Sequence, residues 1–290
     1  MYLVDAWQFG RPRCGGVYVV QGEEAALVES GTSLAADRIL RALSALGIGR
    51  TEVCWLFLTH IHLDHAGGAG ALLPHLPRAR VVVHPRGARH LVDPGRLLES
   101  VKAAVGNRFP LYGTAVPIPE DRLYVSEDGE RFELGGRVIR AIDSPGHAPH
   151  HLCFFEERGK LLFTGDAAGL WLSGRLIPAT PPPSFDLAVS LATLEKLSAL
   201  GPRLILYTHY GPREDGGSLA EYARLLSWWV ERVQRALDGA SGDEAKAVEA
   251  LVSELAGEGW PVDDPGVRED LIMSARGAIS YLKRREAGQA

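Results

Sequence analysis

Two apolar runs near the start of the chain, residues 17–20 and 25–28, are split by Gln21-Gly22-Glu23-Glu24 and predict a β-hairpin. A helix follows. Thr32 or Ser33 is placed to cap it, Leu34, Ile39, Leu40, Leu43 and Leu46 recur at helical spacing, and Gly47 and Gly49 end it. Residues 53–59 and 81–83 are short apolar runs with β-branched members, read as buried strands, and a Gly-rich turn and short helix lie between them. Between Pro85 and Pro119 the pattern turns helical and irregular, broken by Pro94, Pro110 and Pro117, which predicts an insertion beside a site mouth with Tyr112 or Phe109 as pocket-lining candidates.

Five strand-like runs come next, at 122–125, 131–134, 137–142, 151–155 and 160–164. They are punctuated by Asp128-Gly129, Gly135-Gly136 and Arg158-Gly159 and predict a second sheet built from hairpins. An amphipathic helix at 186–200 leads to a final strand at 203–207. Beyond Gly216 only helical patterns remain, at 219–237, 244–255 and 267–285. We therefore expect a mixed α/β domain over residues 1–215 and an all-helical C-terminal extension over 216–290. Leu226, Trp229, Val230 and Val233 form a helical stripe, read as a packing face.

Composition narrows the function classes. With 46% hydrophobic and 23% charged residues the chain can bury a large core. Its 31 Lys plus Arg against 36 Asp plus Glu give a net charge of −5, and no basic run invites a nucleic acid. Cys14, Cys54 and Cys153 stand far apart, which argues against a disulfide framework and a thiolate zinc site. Residues 1–13 lack the basic and apolar pattern of a leader, and no run reaches the roughly 20 apolar residues of a membrane span. The expectation is a cytoplasmic protein with a small-molecule substrate, no membrane partner and the option of self-association.

The chemistry concentrates in Thr59-His60-Ile61-His62-Leu63-Asp64-His65-Ala66-Gly67-Gly68, directly after a buried strand. At a strand end His60 and His62 share one side by the two-residue period, while a turn lets Asp64 and His65 point elsewhere, so one segment can serve two metals. For a lone histidine such as His75, His84 or His90 the better reading is a hydrogen-bonded, half-buried side chain. Three imidazoles and a carboxylate packed so closely would repel when protonated and need desolvation when neutral, and a cation relieves both costs.

This segment resembles the signature of the metallo-β-lactamase superfamily. Ser144-Pro145-Gly146-His147, Thr164-Gly165-Asp166 and Thr208-His209 resemble its downstream motifs in the expected order, over roughly the first 215 residues. The resemblance implies an αββα sandwich, in the α/β class. It implies His60, His62 and His147 around one divalent metal ion, Asp64, His65 and His209 around a second, and Asp166 between them. Imidazole and carboxylate donors suit zinc and admit manganese or iron. It further implies a hydroxide shared by the two ions as nucleophile, with Asp64 orienting it or shuttling a proton. His151 matches a second histidine of glyoxalase II-like members and is read as a support or substrate contact, and His150 as a packing residue.

Asp166 argues against a true β-lactamase and for the glyoxalase II-like, lactonase-like branch, so an ester, thioester or lactone carbonyl is the expected target. Gly169 stands where acyl-homoserine lactonases carry a tyrosine, which lowers that reading. The helical tail parallels that of glyoxalase II in architecture, and Lys283, Arg284 and Arg285 are better read as a solvated helix end than as a carboxylate site. The alternatives are a phosphodiesterase or nuclease of the same superfamily and a mononuclear-iron persulfide dioxygenase held by His60, His147 and Asp166.

Overall fold

A computed structural model describes residues 1–214 and 216–288. Its strands are β1 (Tyr2–Asp5), β2 (Gly16–Gln21), β3 (Ala25–Val28), β4 (Val53–Phe57), β5 (Arg80–Val83), β6 (Leu123–Val125), β7 (Arg131–Glu133), β8 (Val138–Asp143), β9 (Leu152–Glu156), β10 (Leu161–Gly165), β11 (Leu170–Leu172), β12 (Arg175–Ile177), β13 (Leu204–Tyr207) and β14 (Gly211–Glu214). The helices are α1 (Ala36–Ala45), α2 (Leu63–Ala66), α3 (Ala69–Leu72), α4 (Pro85–Val92), α5 (Gly95–Val105), α6 (Leu187–Ser198), α7 (Ser218–Gly239), α8 (Glu244–Gly257) and α9 (Pro265–Glu286). Two compact units can be distinguished. The first comprises Met1–Asp143, His150–Gly165 and Arg203–Arg213; the second comprises Ser144–Pro149, Asp166–Pro202 and the chain from Glu214 onward.

The first unit holds two six-stranded sheets, ordered β1-β2-β3-β4-β5-β6 and β14-β13-β10-β9-β8-β7. β1, β2 and β3 run antiparallel, and β3 to β6 pair in parallel. The sheets face one another through alternating apolar positions. Tyr18, Val20, Phe57 and Val82 from one pack against Phe132, Ile139, Phe154 and Phe163 from the other. The opposite face of the first sheet, including Val19, Leu27, Leu56 and Val81, buries against α1 and α3 through Ile39, Leu43 and Leu72. Each such buried aliphatic side chain contributes about 1.5–3 kcal/mol through apolar area removed from water.

The second unit gathers α6 with the three C-terminal helices, which pack on one another. In α7 the stripe Leu226, Trp229, Val230 and Val233 is buried as expected, and the indole N–H of Trp229 donates to Thr180 Oγ1 at 3.2 Å. Asp186, Asp243 and Asp264 cap α6, α8 and α9, each accepting from backbone N–H groups of its first turn. No helix among the described residues is long and apolar enough to cross a membrane.

Several elements differ from the sequence reading. Neither Thr32 nor Ser33 caps α1 with its side chain; the chain enters through a 3-10 turn, Ser33–Ala35, and Ser33 Oγ accepts instead from the N–H of Thr114 at 2.9 Å. Leu34 is consequently 65% exposed rather than on the buried face. β6 belongs to the first sheet, parallel to β5, because three residues carry too little pattern to choose a partner. β13 is not the last strand: β14 follows with the sequence Gly-Pro-Arg-Glu, which has no apolar alternation. β1 and the β11–β12 hairpin are additional elements.

Candidate metal centre

β4 ends at Phe57 and delivers Thr59 and His60 to the edge of the sheet, where α2 begins at Leu63 with His62 extended before it. The two-residue period holds: the rings of His60 and His62 lie 4.4 Å apart, and His60 Nε2 faces His62 Nδ1 at 2.9 Å. Asp64 and His65 sit on the single turn of α2. β13 brings His209 to them, so that Asp64, His65 and His209 form a group whose donor atoms all lie within 4.8 Å. Nε2 of His65 and Nε2 of His209 are 3.2 Å apart, and Asp64 Oδ2 is 3.7 Å from each. In the second unit, His147 Nε2 lies 3.7 Å from Asp166 Oδ2.

The far side of each ring decides what the near side can do. His65 Nδ1 donates to the buried carboxylate of Glu29 at 2.9 Å, His209 Nδ1 to the carbonyl of Cys14 at 2.5 Å, and His147 Nδ1 to the carbonyl of Ala179 at 2.9 Å. Thr59 Oγ1 donates to Glu29 at 2.6 Å, so it can only accept from His60 Nδ1 at 3.0 Å. In their neutral form these four imidazoles carry the proton on Nδ1 and present a lone pair at Nε2. In that form two such lone pairs and a carboxylate oxygen converge in the first unit as acceptors only. An arrangement of acceptors alone is repulsive unless a cation occupies it, and the residues thus fit a divalent metal ion.

Glu29 was not singled out in the sequence, although one signal pointed to it: a lone acidic residue directly after the wholly apolar strand β3. It is fully buried with a left-handed backbone, φ 73°, and accepts also from Thr208 Oγ1 at 3.1 Å. Its neighbours Ser30 and Gly31 seat the following turn. Ser30 Oγ donates to the carbonyl of His65 at 2.7 Å, and a Cβ on Gly68 would come within 2.3 Å of the carbonyl of Ser30. Gly68 itself has ordinary helical angles, so close approach to the β3–α1 loop, rather than a tight bend, requires glycine there. Gly165 answers to both demands: its φ is +48°, and a Cβ would meet Thr59 Oγ1 at 2.5 Å and His151 Nε2 at 2.7 Å. Gln8 Nε2 donates to the carbonyl of Asp64.

The other candidates separate cleanly. His151 is fully buried and stacks on His60 with centroids 4.9 Å apart, which fits support of that candidate ligand ring. His150 lies nearly parallel to His60 at 6.2 Å, and burial, followed by the neighbouring His62, pushes its pKa down to about 3, so it stays neutral at working pH. Tyr112 packs on Phe9, centroids 4.7 Å apart. His84 caps α4 and reaches Asp143 at 3.2 Å, half-buried as expected of an isolated histidine, whereas His75 meets Arg50 but is exposed.

The family model of the metallo-beta-lactamase superfamily matches residues 15–209, and the chain belongs to that superfamily. A metallo-beta-lactamase fold-containing protein of Sulfurisphaera tokodaii is 31% identical over 219 residues, 73% of this chain and 78% of that one. Its crystal structure superposes with a TM-score of 0.67 at 29% identity, covering 77% of this chain and 84% of that one. A metallo-beta-lactamase family protein of Thermus thermophilus shares the fold, with a TM-score of 0.72 over 99% of this chain and 94% of that one at 24% identity. A hydroxyacylglutathione hydrolase of Aeromonas hydrophila is 28% identical over 59% of this chain, which spans 52% of that enzyme. These matches establish the metallo-β-lactamase fold with a C-terminal helical extension and place hydrolases among the relatives.

Proposed function

We propose that this chain is a metal-dependent hydrolase of thioesters. The observation that carries the reading is the convergence of His65 Nε2, His209 Nε2 and Asp64 Oδ2 with each imidazole proton held on its outer nitrogen. We assign His60, His62 and His147 to one divalent cation, Asp64, His65 and His209 to a second, and Asp166 to both, with zinc as the first choice. When bound, such cations make a water molecule acidic near neutral pH and polarise a carbonyl.

The chain's own groups do the rest. Glu29 holds the His65 ring and, through Thr59, the His60 ring. Asp64, 19% exposed at its side chain, is the carboxylate open to solvent; it positions water and takes up its proton, which the departing thiolate then receives. Support for a thioester comes from two relatives: the hydroxyacylglutathione hydrolase above and an atrochrysone carboxyl ACP thioesterase of Aspergillus fumigatus, 29% identical over 63% of this chain and 46% of that enzyme.

Protein loaded in turn with zinc, manganese and iron, then assayed on a thioester, an ester, a lactone and a phosphodiester, tests the reading. The thioester is expected to give kcat/KM at least about tenfold above the other three, a transition-state preference of about 1.4 kcal/mol. A preference for the phosphodiester, or no hydrolysis of any carbonyl substrate, would overturn it.

A further inference from the structure

We propose that the groove between α8 and α9 binds the phosphate-bearing arm of the thiol that leaves when the thioester is hydrolysed. This rests on the thioesterase reading and names the substrate class: a thioester whose thiol carries phosphate groups at the end of a long arm.

The groove has a volume of about 850 Å³ and an apolar lining from Val248 and Val252 of α8 and Ile272 of α9. Arg268 and Arg276 line it from α9, both exposed. They are eight residues apart on one helix face, about 12 Å along the axis at 1.5 Å per residue. Among the described residues neither guanidinium has a carboxylate or hydrogen-bonding partner. The nearby cations are already engaged: Lys283 with Glu244, and Arg284 with the carbonyls of Pro183 and Phe185 and with Ser280. Of the two acidic residues on the groove, Glu244 is taken by Lys283, which leaves Glu249 against two free guanidinium forks.

Guanidinium forks bind phosphate oxygens in pairs, and two of them about 12 Å apart suit an elongated molecule with separated anionic groups better than a compact anion. The apolar lining beside them accommodates the carbon chain that runs from the phosphates to the sulfur.

The groove also connects with a candidate metal ligand in the same unit. Pro182 borders it, and Thr180 is fastened to α9 through Ser274, donating from Oγ1 to the Ser274 carbonyl at 2.7 Å. The loop rides so closely on α9 that a Cβ on Gly277 would lie 1.8 Å from the carbonyl of Thr180. One residue earlier, the carbonyl of Ala179 holds His147. A thiol lying along α9 with its sulfur end at this loop would bring its thioester toward His147. In hydrolysis the water oxygen bonds to the carbonyl carbon, the carbon–sulfur bond breaks, and the thiolate takes the proton lost by water. The phosphates are unchanged, so they serve binding alone.

The test is calorimetric titration of coenzyme A into the metal-loaded, full-length protein and into the double variant R268E/R276E. Both changes are at exposed positions outside the metal centre. Coenzyme A is expected to bind the natural sequence, with affinity at least about tenfold lower in the variant and weakening as salt rises. Metal content and kcat on a small neutral thioester should be unchanged, while KM for a coenzyme A thioester rises by the same factor. Equal affinity in both proteins, no binding to the natural sequence, or inorganic phosphate binding as tightly as coenzyme A would each overturn the proposal. So would a variant that changes only the sedimenting mass, since the groove would then be a contact between copies. Arginine-dependent coenzyme A binding without hydrolysis of any thioester would retain the groove and sink the hydrolase reading. Hydrolysis of the neutral thioester without coenzyme A binding would do the reverse.

Discussion

Thioester turnover by the metal-loaded protein is expected to fall at least ~100-fold when His65 is replaced by alanine, beyond the roughly 10–100-fold that loss of an outer partner of a ligand costs. His65 has two tasks at once. Its Nε2 is one of the three acceptors that converge with His209 and Asp64, and its Nδ1–H is one of the donors that satisfy Glu29. Alanine removes a proposed ligand and also strips a donor from a buried carboxylate. The two losses can be told apart with Thr208→Val, which takes one donor from Glu29 and leaves every ligand in place. That variant should keep most of its metal and lose far less activity. Steady-state kinetics and metal content on both variants, with circular dichroism to confirm folding, decide the matter; a His65→Ala protein with near-normal turnover would remove His65 from the centre.

The largest effect on stability is expected at Glu29. Its Oε1 accepts from Thr59 Oγ1, His65 Nδ1 and Thr208 Oγ1, all buried. Glu29→Ala leaves four donors without their acceptor, these three and the Thr59 N–H that reaches Oε2 at 3.4 Å, each costing about 1–3 kcal/mol when buried. Removing a buried carboxylate recovers part of its desolvation cost, so a net loss of about 3–5 kcal/mol is expected, the range seen when one partner of a buried pair is deleted. Glu29→Gln separates fold from chemistry. The amide oxygen can still accept from the three donors on Oε1, and only the long Thr59 N–H contact to Oε2 is lost to the amide nitrogen, whereas a neutral group no longer strengthens His65 as a base. Urea denaturation of the metal-free protein should therefore show a small loss for Glu29→Gln and a large one for Glu29→Ala. Competition with a chelator should show metal affinity lowered by roughly 10–100-fold for Glu29→Gln. An alanine variant as stable as the natural sequence would mean that the Glu29 network is not what holds these rings.

The parts that could be read in the sequence are those whose chemistry is carried by side chains at a fixed period. The β2–β3 hairpin, the three C-terminal helices and the sharing of one side by His60 and His62 all follow from alternation or from three- and four-residue spacing. Two kinds of information were not legible. Backbone acceptors have no residue signature, so nothing in Cys14 or Ala179 announces that its carbonyl orients a histidine. Partnership at a distance is equally silent. Leu123-Tyr124-Val125 reads as a strand but does not say which sheet it joins, and Gly211-Pro212-Arg213-Glu214 pairs as a strand with no pattern of its own. Glu29 falls between these cases, since its charge beside an apolar strand was visible and its three partners were not.

Metal content per chain, measured by plasma mass spectrometry on protein purified without chelator, alongside Asp166→Ala, tests the central claim most directly. We expect two zinc or manganese ions per chain, reduced in the variant. A single iron per chain, or no metal retained after reconstitution with zinc, manganese or iron, would contradict the account.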